Sequence, residues 1–109
     1  MKSELQLTAL RRINRRAELW DEGGRPLVYL PSMPVQHNGG TVTVDGLLCP
    51  RDHASYTTRL FLSQCFPNRG QNWTVHQILG RAWHTMSFNN VPASLPWSEI
   101  LAIHLGQLK

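Results

Sequence analysis

The chain has 109 residues, a formal net charge of +4 at pH 7, 41% apolar residues and 17% charged residues. That length suits one domain with one core and leaves little room for a second. The composition excludes a disordered chain, and no stretch approaches the roughly 18 apolar residues that a membrane-crossing helix needs.

Ser3 with Gln6 three residues on is a helix-start pattern, and Leu7, Leu10, Ile13 and Ala17 then recur at helical spacing. This predicts an amphipathic helix over residues 3–19, stopped by Gly23-Gly24. Residues 25–31 read as a short edge strand bracketed by Pro26 and Pro31, because proline cannot donate to a sheet ladder. Residues 32–37 read as extended but irregular, and Asn38-Gly39-Gly40 is a turn signal. Residues 41–49 alternate as a strand, with Val42, Val44 and Leu48 on one parity, Thr41, Thr43 and Asp45 on the other, and Gly46 as a bulge marker. Residues 50–55 read as a connector, 56–65 as a third strand, and 66–70 as a loop.

Residues 73–88 are ambiguous. Val75, Ile78, Leu79 and Ala82 fit a helix, Gly80 weakens it, and residues 85–88 fit an extended chain. A last helix is expected from Ser94 or Leu95, burying Trp97, Ile100, Leu101, His104 and Leu108. The predicted fold class is therefore α+β: an N-terminal helix, an antiparallel meander of three to four strands, an irregular segment and a C-terminal helix, with both helices on one sheet face.

Arg11, Arg12, Arg15 and Arg16 cluster in the first helix candidate, with Arg25 soon after. Such a patch suits an acidic protein partner, nucleic acid or anionic lipid, or is a solvated helix face. No membrane association is expected. The arginines lie on a helix rather than among aromatics on a sheet, which disfavours single-strand nucleic-acid binding.

The two cysteines, Cys49 and Cys65, make no disulfide framework, and residues 1–10 hold no continuous apolar stretch. A cytoplasmic protein with reduced thiols is expected. Cys49, His53, Cys65, His76 and His84 are metal-ligating types, but there is no CxxC pair, so no metal or other cofactor is expected. Cys65, at a strand end before a loop, is the candidate nucleophile, with His53, His76 or His84 as its base. Neither a G-x-S-x-G elbow nor a G-x-x-x-x-G-K loop is present, which argues against an α/β-hydrolase-type serine enzyme and a P-loop nucleotidase. His53, Tyr56 and Arg59 belong to a dense polar cluster that is either a binding loop or a structural turn. A second cluster spans residues 83–89, where the aromatics read as core.

Residues 79–87, Leu-Gly-Arg-Ala-Trp-His-Thr-Met-Ser, followed by Leu101-Ala102-Ile103-His104-Leu105, resemble the C-terminal part of the prokaryotic ubiquitin-conjugating-enzyme-like (UBC-fold) families. Those carry a Gly-Arg-x-Trp-x-x-x-Ser segment before a closing helix. Leu47-Leu48-Cys49-Pro50, then Tyr56 to Leu62, is similar to their paired central strands, and Phe66-Pro67-Asn68 partly matches a His-Pro-Asn motif. The resemblance implies a shortened UBC-like fold in a bacterial protein-modification or defence pathway with a ubiquitin-like protein and an activating enzyme. It implies either a non-catalytic binding relative or a cysteine-dependent ubiquitin-like transferase. In the second case Cys65 accepts the acyl group, a histidine such as His84 assists, and Asn68 or Asn89 polarises the oxyanion. The helix arginines at 11, 12, 15 and 16 would dock the activating enzyme. Two other classes stand beside this: a small adaptor or scaffold that binds a protein through its basic helix and exposed aromatics, and a nucleic-acid-binding protein.

Overall fold

A computed structural model describes residues 3–51, 56–66 and 72–108. The first helix, α1, spans Ser3–Arg11 and is shorter than its periodicity predicts. Asn14 stops it. Its side-chain amide donates to Pro31 O at 2.8 Å, and its Oδ1 accepts the Arg16 N–H at 3.1 Å. An asparagine that bonds backbone in this way competes with the helix ladder. Ala17 is buried just beyond, and the chain turns into a strand, β1, Glu18–Glu22.

Gly23 and Gly24, at φ 60° and 90°, form a hairpin turn rather than a helix stop. They lead into β2, Arg25–His37, which runs through Pro26, Pro31 and Pro34. The prolines are tolerated because of where they fall. Pro26 precedes the first β3 partner, and Pro31 and Pro34 lie past Tyr29, where β1 pairing has ended. The register shifts between Leu30 and Met33, with Ser32 at φ 50° and its N–H donating to Asp45 Oδ1. The bulge is thus on β2, opposite Gly46, where an added Cβ would lie 2.7 Å from Met33 Cε.

Asn38-Gly39 turns the chain into β3, Gly40–Cys49. Strand β4 is only Arg59–Leu62 and is buried throughout. The ambiguous segment is a second hairpin, β5 Trp73–Ile78 and β6 Arg81–Met86, joined by Leu79 and Gly80 at φ 50° and 81°. Helix α2, Trp97–Gly106, closes the described chain, with Trp97, Ile100, Leu101 and His104 buried as expected and Leu108 buried just beyond.

The strands form one antiparallel six-stranded sheet in the order β1-β2-β3-β4-β6-β5. This corrects the predicted fold class. The protein is sheet-dominated with two short helices, not an α+β domain with a few strands and a shortened UBC-like layout. The error arose where prolines and Leu79-Gly80 hid strands and where Asn14 cut a helix short.

The sheet buries side chains on both faces. One face packs under α1 and α2, through Leu7, Leu10, Ile100 and Leu101 against Val28, Leu30, Leu48, Leu60 and Leu62. Gln6 ties the helices together: its Oε1 accepts the Trp97 N–H at 3.1 Å, at an α2 start that Pro96 leaves without a side-chain cap. The opposite face holds Leu27, Leu47, Cys49, Phe61, Ile78 and Trp83, flanked by Trp20 and Tyr29.

Candidate partner-docking surface

The last turn of α1 and the loop to β1 display Arg11, Arg12, Arg15 and Arg16, all exposed. Spacing on α1 places Leu5 and Thr8 on one outer face, and Arg12 follows directly after the helix ends. Leu5 and Ile13 are 66% and 64% exposed, and Leu19, at the start of β1, is 41% exposed. Among the described residues the one ion pair is Arg81–Asp45, so none of these arginines has a carboxylate partner there. Arg11 is partly committed: its Nε donates to Ala17 O at 3.0 Å, pinning the turn. Arg12, Arg15 and Arg16 make no side-chain hydrogen bond among the described residues and stand free to meet an anion. Cations interleaved with exposed apolar side chains suit a protein surface that is acidic and apolar together.

The other predicted residues are dispersed. Cys65 is exposed, three residues past the end of β4. Its neighbour Phe66 is buried and packs edge-on against His37, with ring centroids 4.8 Å apart. His84 sits on β6, in register with Leu62 on one side and Val75 on the other, and shares no hydrogen bond with Cys65 among the described residues. Asn89 Oδ1 accepts the Thr57 N–H at 3.1 Å and the Asn90 N–H at 2.8 Å, holding the loop before α2. Asn68 and His53 lie outside the described residues. Cys49 is a buried core thiol whose S–H donates to Arg51 O, and burial pushes its pKa up.

Tyr56 and Arg59 do come together. The Arg59 guanidinium lies 4.0 Å from the Tyr56 ring centroid and 5.8 Å from that of Phe61. Arg59 is a β4 residue only 3% exposed, so it is a core cation more than a binding-loop residue. Burial pulls its pKa below the usual arginine value.

Sequence reasoning missed a polar network on the helix-free face. Arg81 Nη2 bonds Asp45 Oδ2 at 2.9 Å, spanning from β6 to β3, and Tyr29 lies beside both side chains. The Arg81 hydrogen bond is the chief reason the Asp45 carboxyl lies below its ordinary pKa. Arg81 also stacks 4.5 Å from the Trp83 ring, which meets Tyr29 edge-on, and Tyr29 stacks on Trp20 at 4.4 Å. A signal was present: once residues 81–86 form a strand, Arg81 and Trp83 share a face.

No family model, curated protein or solved structure matches this chain. Among the described residues no group of three or more metal-ligating side chains gathers, and no helix is long and apolar enough to cross a membrane.

Proposed function

We propose that this protein is a docking domain whose basic, apolar-studded surface at the end of α1 receives an acidic protein partner. The observation that carries the reading is the exposure of Arg12, Arg15 and Arg16 without carboxylate partners among the described residues, beside exposed Leu5, Ile13 and Leu19. The resemblance of residues 79–87 and 101–105 to ubiquitin-conjugating-like sequences supplies the partner class: an activating enzyme or a ubiquitin-like protein of a bacterial modification or defence pathway. A cytoplasmic setting accords with the free thiols of Cys49 and Cys65.

The test uses fluorescence anisotropy with an acidic, leucine-containing peptide and, separately, a single-stranded oligonucleotide, each at low and physiological salt. The peptide is expected to bind, and Arg12→Glu with Arg15→Glu and Arg16→Glu to weaken it by about 10-fold or more, since rim charges tune encounter and register. Tighter binding of the oligonucleotide with a steep salt slope would point to phosphate contacts and transfer the function to nucleic acid. Binding of neither at low salt removes the docking reading.

A second reading rests on the exposed Cys65 thiol. In it Cys65 accepts an acyl group from a thioester-linked ubiquitin-like protein: the thiolate sulfur bonds the carbonyl carbon and the donor thiolate leaves. Incubation with a charged activating enzyme is expected to yield a thiol-labile adduct that becomes a stable ester in Cys65→Ser. An adduct that persists unchanged in Cys65→Ala excludes this chemistry.

A further inference from the structure

Strand β5 ends the sheet, and among the described residues nothing pairs with its outer side. Which backbone groups it leaves free follows from its hairpin. The Ser87 N–H donates to Asn72 O at 2.8 Å, so the residue 72/87 pair is hydrogen-bonded. Hydrogen-bonded pairs alternate along an antiparallel ladder, which makes 74/85, 76/83 and 78/81 the bonded pairs across β5 and β6. The same parity suits the two-residue turn at Leu79 and Gly80, whose flanking pair is Ile78 and Arg81. Trp73, Val75 and Gln77 therefore point their N–H and C=O groups away from β6, at the open edge.

That row is symmetric about Val75. We propose that β5 pairs antiparallel with β5 of a second copy of this chain, on a two-fold axis at Val75, joining two six-stranded sheets into one. Val75 then faces its own copy, Trp73 faces Gln77 of the other copy, and each pair exchanges both N–H···O bonds. The side chains permit it. Trp73, Thr74, Val75, His76, Gln77 and Ile78 include no Asp, Glu, Lys or Arg, so no like charges are brought face to face. His76 adds no charge at neutral pH, because burial and then the nearby Arg59 lower its pKa. Val75, 57% exposed in one copy, is covered by its twin.

The opposite edge lacks these features. Strand β1 carries Glu18, Asp21 and Glu22, and self-pairing there would oppose acid to acid. Charged edges are a common guard against sheet extension, and β5 has none.

The experiment is sedimentation velocity on the whole chain from low to high micromolar concentration. The parent is expected to shift from monomer to dimer. Val75→Lys places two cations on the axis and is expected to weaken the dimer by about 10-fold or more, with unchanged circular dichroism and melting. Val75→Pro removes an N–H that the monomer does not use and is expected to give the same loss. Leu19→Lys on β1 is expected to dimerise like the parent. A parent that stays monomeric, or a dimer indifferent to Val75→Lys, overturns the proposal. So does a dimer lost in Leu19→Lys, which would put the contact on β1. A monomeric parent that binds a free peptide of the β5 sequence would make an extended peptide the occupant and overturn the second copy.

Discussion

Stability is expected to fall as the pH drops from about 6.5 toward 4, with His104 as the largest cause. His104 is 1% exposed, and burial lowers its pKa to about 4 from the ordinary histidine value of 6.5. Its Nε2 lies 2.9 Å from the Thr58 hydroxyl, which itself donates to Val91 O at 3.0 Å. The hydroxyl proton is thereby used, so the ring N–H must donate to Thr58 Oγ1, and the neutral tautomer with a proton on Nε2 is the folded form. The Phe88 ring lies edge-on, 5.5 Å away between centroids, and offers the other ring nitrogen no counter-charge. The folded pKa is depressed below the unfolded one, so the unfolded chain binds the proton first. Stability is therefore full above about pH 6.5 and is lost as the pH falls toward the folded value. At ~1.36 kcal/mol per pH unit for one proton, that window amounts to roughly 3 kcal/mol. His76, also lowered, adds loss of the same sign, while Asp45 acts only in a lower window below its unfolded value of 3.8. Urea unfolding at stepped pH checks this in parent and His104→Gln, which keeps a donor for Thr58 but does not titrate. The parent curve should fall much more steeply across the window. Parallel curves would acquit His104.

Trp83→Ala is expected to remove a large share of the fold's stability. Trp83 is fully buried on the helix-free face, beneath Arg81 and edge-on to Tyr29. Emptying such a site costs about 3–5 kcal/mol, against a total of roughly 5–15 kcal/mol for an ordinary domain. Trp83→Phe should be far milder. Its lost volume is offset because the indole Nε1 is buried without an acceptor among the described residues, and the variant sheds that donor. The two effects oppose, so a change within about 1.5 kcal/mol is expected. Denaturant midpoints for the two variants decide it. A loss under about 1 kcal/mol in Trp83→Ala would show that this face is not a second core.

These two residues also mark what the sequence could reveal. The spacing of Trp97, Ile100, Leu101 and His104 was readable because a helix repeats its buried stripe locally. Asn38-Gly39 was readable because few residue pairs accept positive φ at both positions. The sequence does not place Trp83 in a strand, because Val75, Ile78, Leu79 and Ala82 satisfy a helical period by accident. Only tertiary pairing with β4 settles that the segment is a hairpin. Leu79 hid the turn further, since a leucine at φ 50° is an uncommon occupant of that position. The proline-bearing β2 looked short because the sequence does not say where β1 ends and leaves its flank unpaired. The arginines of the docking surface were legible by count. Their freedom from carboxylates, and Arg11's attachment to Ala17, depend on where Asn14 ends the helix.

The bond from Gln6 to Trp97 gives the docking surface a schedule. A nine-residue helix such as α1 is unstable alone in water, so it is held by α2 and the sheet beneath it. Its holding partner is made 91 positions later, near the end of the described chain. During synthesis the arginine-bearing segment therefore leaves the ribosome before α2 exists to hold it. A partner that reads that shape, as proposed above, would engage only molecules in which α2 has docked on α1, so a misassembled copy is passed over without any separate inspection step.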